Sequence, residues 1–138
     1  MSGFIIRTQD NKVLRFRFND DAPVTAMAFQ RALPFAETFF HARISGQEIW
    51  SDKAPDLRII QENVSVFPEA GEMVIGPREP SRNKIAGFMG IFYGEGKLLD
   101  GGNIFGRIYE EDMEALIQLG NRIWKSGAEI LIFEPIEK

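Results

Sequence analysis

The chain contains no cysteine. Disulfides, thiol nucleophiles and thiolate metal sites are therefore excluded, and nothing points to an oxidising compartment. Histidine is almost as scarce: His41 is the single one. A zinc site would need carboxylates for most of its ligands, an uncommon set, so no metal and no cofactor is expected. An excess of positive charge is also lacking. The formal charge is −4 over 138 residues, which gives no electrostatic basis for holding nucleic acid or an anionic membrane. No apolar run approaches the roughly 20 residues of a membrane span. The start, MSGFIIRTQDNK, shows no charged segment followed by a long apolar core, so no signal peptide is read and the cytoplasm is the expected location.

What is present suits one folded domain over residues 1–138. The hydrophobic content of 44% is ordinary for a globular chain, and no repeat, low-complexity segment or linker interrupts it. FIIRTQDNKVLRFRFND has the pattern of a hairpin. QDNK supplies turn residues, and Leu14, Phe16 and Phe18 alternate with Arg15 and Arg17, the period of a half-buried strand. DDAPVTAMAFQRAL predicts a short helix with Asp21 as its cap, Pro23 in its first turn and Pro34 as its stop. Val24, Met27 and Ala28 are expected on its apolar face, with Phe29 and Leu33 beside it.

FFHARISGQEIWSD alternates again. It places Phe40, Ala42 and Ile44 on one side of a strand and Phe39, His41 and Arg43 on the other. NVSVF and EMVIG are expected strands. IAGFMGIFYG, apolar on both faces and with three glycines, is expected as a central strand buried on both sides or bent sharply. IFGRIY is a short strand. The helix after it is the clearest element, with Met113, Leu116, Ile117, Gly120, Ile123 and Trp124 as a core stripe. Glu110, Glu111 and Asp112 suit its positive end, and Ser126-Gly127 closes it. AEILIFEPIE is the final strand. Many short strands with two helices fit a mainly β fold, a closed or nearly closed barrel with helices over its ends.

LLDGGN raises the question of a phosphate cradle. Such a cradle needs a helix directly after the glycines. Here the strand IFGRIY intervenes and no Lys-Ser/Thr pair follows, so the glycines are read as a turn.

Four stretches, in the right order, resemble the cyclophilins. DDAPVTAMAFQRAL is similar to that family's first-helix segment, where an acid and Pro-x-Thr-Ala precede a Phe. FFHARIS resembles its Phe-His-Arg strand, LLDGGNIFGRI its Leu-Asp-Gly corner with a following Phe-Gly, and AEILIF its closing strand. The resemblance covers residues 20 to 133 and implies a closed, cyclophilin-like eight-stranded barrel with a helix over each end. It is nearest to small bacterial and archaeal cyclophilin-like proteins of unassigned function, in which the LPF of residues 33–35 is typical. Cyclophilins isomerise peptidyl-proline bonds, whose barrier is about 18–20 kcal/mol, with an arginine that hydrogen-bonds near the proline amide. Arg43 is the nearest match to it, but Ala42 is an extra residue between His41 and Arg43, and a one-residue slip turns a strand side chain to the other face. IAGFMGIFYG replaces the family's Asn-Gly-Ser-Gln-Phe-Phe, Leu98 stands where it has Trp, and Asn103 where it has His.

The residues expected to carry function are His41, Arg43, Glu48, Trp50, Phe88 and Tyr93. His41 and Arg43 could line an outer cleft, with Arg43 as a forked donor to a carboxylate or amide; the plain alternative is a solvated strand face. Trp50 could stack on a flat ligand or pack beneath a loop. Phe88, Phe92 and Tyr93 could wall the cleft or fill the core. In GPREPSRNK, Arg78 and Arg82 could hold an anion or belong to an ordinary loop. Three readings stay open: a module binding a small molecule or peptide in the outer cleft without competent isomerase chemistry, a residual prolyl isomerase with Arg43 as its catalytic residue, and an assembly subunit, self-association included.

Overall fold

The structure, a computed structural model, describes residues 3–79 and 83–136. Nine strands and two helices follow one another as β1 Gly3–Arg7, β2 Val13–Phe18, α1 Pro23–Ala32, β3 Phe35–His41, β4 Gly46–Ser51, β5 Val64–Ser65, β6 Glu72–Ile75, β7 Met89–Gly96, β8 Gly102–Ile108, α2 Met113–Ser126 and β9 Ala128–Pro135. Strands pair in the order β2-β1-β9-β3-β4-β7-β6-β8, and β8 returns to β2, closing an antiparallel ring of eight. β5 is a two-residue addition on β8. The mainly β, closed eight-stranded barrel with two helices is therefore the architecture.

Alternation builds the wall. Leu14, Phe16 and Phe18 of β2 are buried, and Leu131 and Phe133 of β9 likewise. Their partners in register include Phe4 opposite Phe16 and Phe35 opposite Phe133. The rings stack inside the barrel: Phe4 and Phe16 lie 5.0 Å apart, Phe35 and Phe133 4.8 Å. Phe29 of α1 inserts among them, 4.7 Å from Phe105 and 5.1 Å from Phe4, and plugs the end where β3 begins and β9 finishes. α2 plugs the opposite end with Leu116, Leu119 and Ile123.

Several sequence expectations change. Val24 and Met27 of α1 are 59% and 54% exposed; Thr25, Ala26, Ala28 and Phe29 form the buried face instead. Asp21 does not cap the helix. Glu62, from the loop after β4, accepts the N–H groups of Val24 (3.2 Å) and Thr25 (2.8 Å) and the Thr25 hydroxyl (2.8 Å). Asn103 locks that loop down, accepting the Glu62 N–H and donating to Thr25 Oγ1 and the Ile60 carbonyl. Trp124 of α2 is 65% exposed, and Leu119 fills the core place assigned to it. FFHARISGQEIWS is two strands, because β3 ends at His41 and the chain turns before β4. NVSVF is strand only at Val64–Ser65, and IAGFMGIFYG pairs only from Met89 onwards. No helix among the described residues is long and apolar enough to cross a membrane.

Gly120 tests how tightly α2 seals its end. A Cβ there would lie 2.3 Å from the Tyr93 ring. In an open helix, Gly→Ala gains about 1 kcal/mol. Here Gly120→Ala is expected to lose about 1–3 kcal/mol in urea unfolding, because the helix must move off the barrel. A gain would show that α2 is loosely seated.

Candidate functional site

The barrel has a second apolar layer on its outside. Along β7, Met89, Ile91 and Tyr93 belong to the interior core, while Phe92 belongs to a separate cluster with Val74, Ile85, Leu98 and Ile104. Loops before and after β7 cover this cluster. The LLDGGN corner ties them together. Asp100 accepts the N–H groups of Lys84 (3.0 Å) and Gly101 (2.8 Å), which hold its carboxyl below the usual range. Asn83 donates to the Gly101 carbonyl at 2.9 Å. The corner is thus a brace for the outer layer, consistent with its reading as a turn.

Where that layer meets β4, it leaves a cleft of about 610 Å³, within the ~300–1,000 Å³ of small-ligand sites. Trp50 stands between Phe40, at 6.2 Å, and Phe88, at 5.0 Å edge-on. Ile85, Leu98 and Leu99 form the far wall. Pairing of β4 with β7 sets Trp50 opposite Gly90 and Glu48 opposite Phe92. The Glu48 carboxyl lies against the bare backbone of Gly90, where a Cβ would come within 1.8 Å of Oε2. Glu48 is 6% exposed, and Ser45 Oγ donates to its Oε1 at 2.5 Å. A second hollow, of about 730 Å³ around Pro68, Ala70 and Gly94–Lys97, is a more open depression with only exposed charges, Glu69, Glu95 and Lys97.

Of the residues singled out from sequence, His41, Arg43, Glu48, Trp50 and Phe88 line this one cleft. Arg43 stands on its exposed rim, in the turn after β3. His41 borders the cleft but turns its ring toward α2. Nδ1 donates to the Ala42 carbonyl at 2.9 Å, which leaves Nε2 to accept the Tyr93 hydroxyl at 2.6 Å, and Trp124 packs edge-on at 4.8 Å. Tyr93 is therefore interior, and burial pushes its hydroxyl pKa up. It does not wall the cleft. Phe92 is fully buried under the outer loops. Arg78 pairs with Asp56 at 3.2 Å, and Arg82 lies outside the described residues. Among the described residues no group of three or more acids or histidines could hold a metal ion.

Ser45, Gly90, Ile85, Leu98 and Leu99 were not singled out by sequence. The signals there were indirect: Leu98 stands where the cyclophilins have Trp, and Gly90 is one of three glycines in IAGFMGIFYG.

The sequence matches the family described as "Protein of unknown function (DUF3830)" over residues 8–133. The chain belongs to that family. No curated protein matches it. Solved structures that share its fold include these two. One is McbB in complex with tryptophan, with a TM-score of 0.74 at 15% identity, covering 98% of this chain and 45% of that one. The other is the solution structure of the hypothetical protein AF2241 from Archaeoglobus fulgidus, with a TM-score of 0.64 at 17% identity, covering 98% and 95%. This chain thus spans less than half of the length of the McbB chain.

Burial pushes the Glu48 carboxyl of this DUF3830 domain up from its ordinary 4.5 to about 7, against a smaller opposing pull from the Ser45 hydroxyl. The folded state then binds more protons than the unfolded state between pH 4.5 and 7, so stability falls as pH rises through that window and levels off above it. The full effect is about 3 kcal/mol. Glu48→Gln removes the titration. Urea unfolding at pH 5 and pH 8 is expected to show a pH-dependent loss smaller in the variant by about 2–3 kcal/mol. An equal loss in both proteins would place the Glu48 carboxyl in water.

Proposed function

We propose that this domain is a cyclophilin-like barrel that binds a small aromatic or branched apolar molecule in its outer cleft and lacks competent prolyl isomerase chemistry. The observation that carries the reading is the cleft itself: three aromatic rings and an aliphatic wall around one buried carboxyl. Ligand sites have this composition, mostly apolar with a few placed polar groups. Arg43 at the rim offers a fork for a carboxylate on the same molecule. The McbB complex with tryptophan shows a chain containing this fold taking a small aromatic ligand; that is an analogy of fold, and the site argument stands on the residues here.

Isomerase chemistry is disfavoured by the setting of Arg43. An arginine that lowers the amide barrier must be held in place before the reaction. Among the described residues no side chain pairs with Arg43, which stands exposed on a turn.

Trp50 supplies the test. Trp124→Phe leaves it as the only tryptophan, since the chain has two. Titration of that protein with small aromatic compounds is expected to give a saturable change in Trp50 emission, with affinity weakened about tenfold or more by Phe88→Ala. A compound that raises the melting temperature, as binding to the folded state must, but leaves Trp50 emission and the Phe88→Ala affinity unchanged would put the site elsewhere.

A further inference from the structure

We infer that the ligand of the outer cleft carries a primary amine on an aromatic or branched aliphatic body, with Glu48 as the counter-ion of that amine. This rests on the cleft being a binding site. A carboxyl removed from water is costly unless a cation accompanies it. Glu48 is 6% exposed, yet among the described residues no cation lies within ion-pair distance of it.

Among the described residues, the groups around Glu48 bring no positive charge to it. From β7 it faces Gly90 and, across the pairing, Phe92. From its own strand it has Trp50 beside it. From the turn before β4 it receives the Ser45 hydroxyl. The far wall, Ile85, Phe88, Leu98 and Leu99, is apolar, and so is Val74 of β6. Among the described residues, His41 and Arg43 are the only other titratable side chains lining the cleft. The His41 nitrogens are both occupied, by the Ala42 carbonyl and the Tyr93 hydroxyl, and Arg43 is on the exposed rim.

Ser45 holds Oε1, and Oε2 lies over Gly90 on the cleft floor. An ammonium group entering the cleft meets the Glu48 carboxylate and the Trp50 and Phe88 rings that line it, and aromatic rings attract cations most strongly once water is excluded. A buried carboxyl that is protonated near neutral pH ionises when an ammonium arrives, so each amine bound below that range releases one proton from Glu48.

Calorimetric titration of the full chain with 2-phenylethylamine, 2-phenylethanol and 3-phenylpropanoate tests this. At pH 8 the amine is expected to bind at least about tenfold tighter than the alcohol, a difference of one ion pair. Its affinity is expected to fall roughly tenfold between pH 8 and pH 6 as Glu48 takes its proton, while that of the alcohol stays level. Glu48→Gln is expected to make amine and alcohol equal, and the pH profile of the unaltered protein gives the same answer without any variant. Equal affinities for amine and alcohol in the unaltered protein overturn the amine class and leave the cleft standing. Preference for the alcohol or the carboxylate, growing at low pH, overturns it in favour of a protonated Glu48 donating to an oxygen. Failure of all three to bind in the millimolar range, with no change in Trp50 emission for any aromatic compound, removes the cleft as a site and this inference with it.

Discussion

The register of β4 against β7 is the constraint on which both faces of this domain depend. Ile49 opposite Ile91 feeds the interior core. On the outside, the same pairing sets Trp50 over Gly90 and Glu48 beside Phe92. A slip by one residue would exchange these sets, exposing isoleucine and driving Glu48 inside the barrel. Interior packing therefore fixes the geometry of the cleft. Gly90 is the point where the two demands meet, since any side chain there would occupy the space of the Glu48 carboxyl.

The rest of the cleft is built at long range. Its far wall belongs to loops braced by Asp100 and Asn83, and its near wall to the two strands flanking the turn at residues 42–45. The loop after β4 is pinned in turn through its own Glu62, which accepts N–H groups of α1, and by Asn103 of β8. A rigid barrel thus carries a cleft made partly of strand side chains, which are held in place, and partly of loops, which bring the apolar cover. That division suits a site that selects a small molecule by shape and one charge.

The barrel was legible in the sequence because strand alternation and the two helices are local patterns. VLRFRF and AEILIF each declare a buried face by themselves. The cleft was only partly legible. The six candidate residues included five that line it, but their facing could not follow from alternation, because FFHARISGQEIW continues the same period through the turn between β3 and β4. That turn sends His41 toward α2 and leaves Arg43 on the rim. Trp124 was assigned to the core because it lies four residues after Gly120 and seven after Ile117, on one helical face; the rotation of α2 on the barrel, set by Gly120 against Tyr93, chose Leu119 instead. Nothing local announces that Glu48 is buried. Its burial comes from loops more than thirty residues away in sequence folding back over the outer face.

A carboxyl held out of water at the floor of an apolar cleft is the centre of this account. A carbon-13 NMR titration of the glutamate side chains, with Glu48 assigned by its absence in Glu48→Gln, measures it directly. This one carboxyl is expected to titrate near pH 7. A midpoint near the ordinary 4.5 would contradict it.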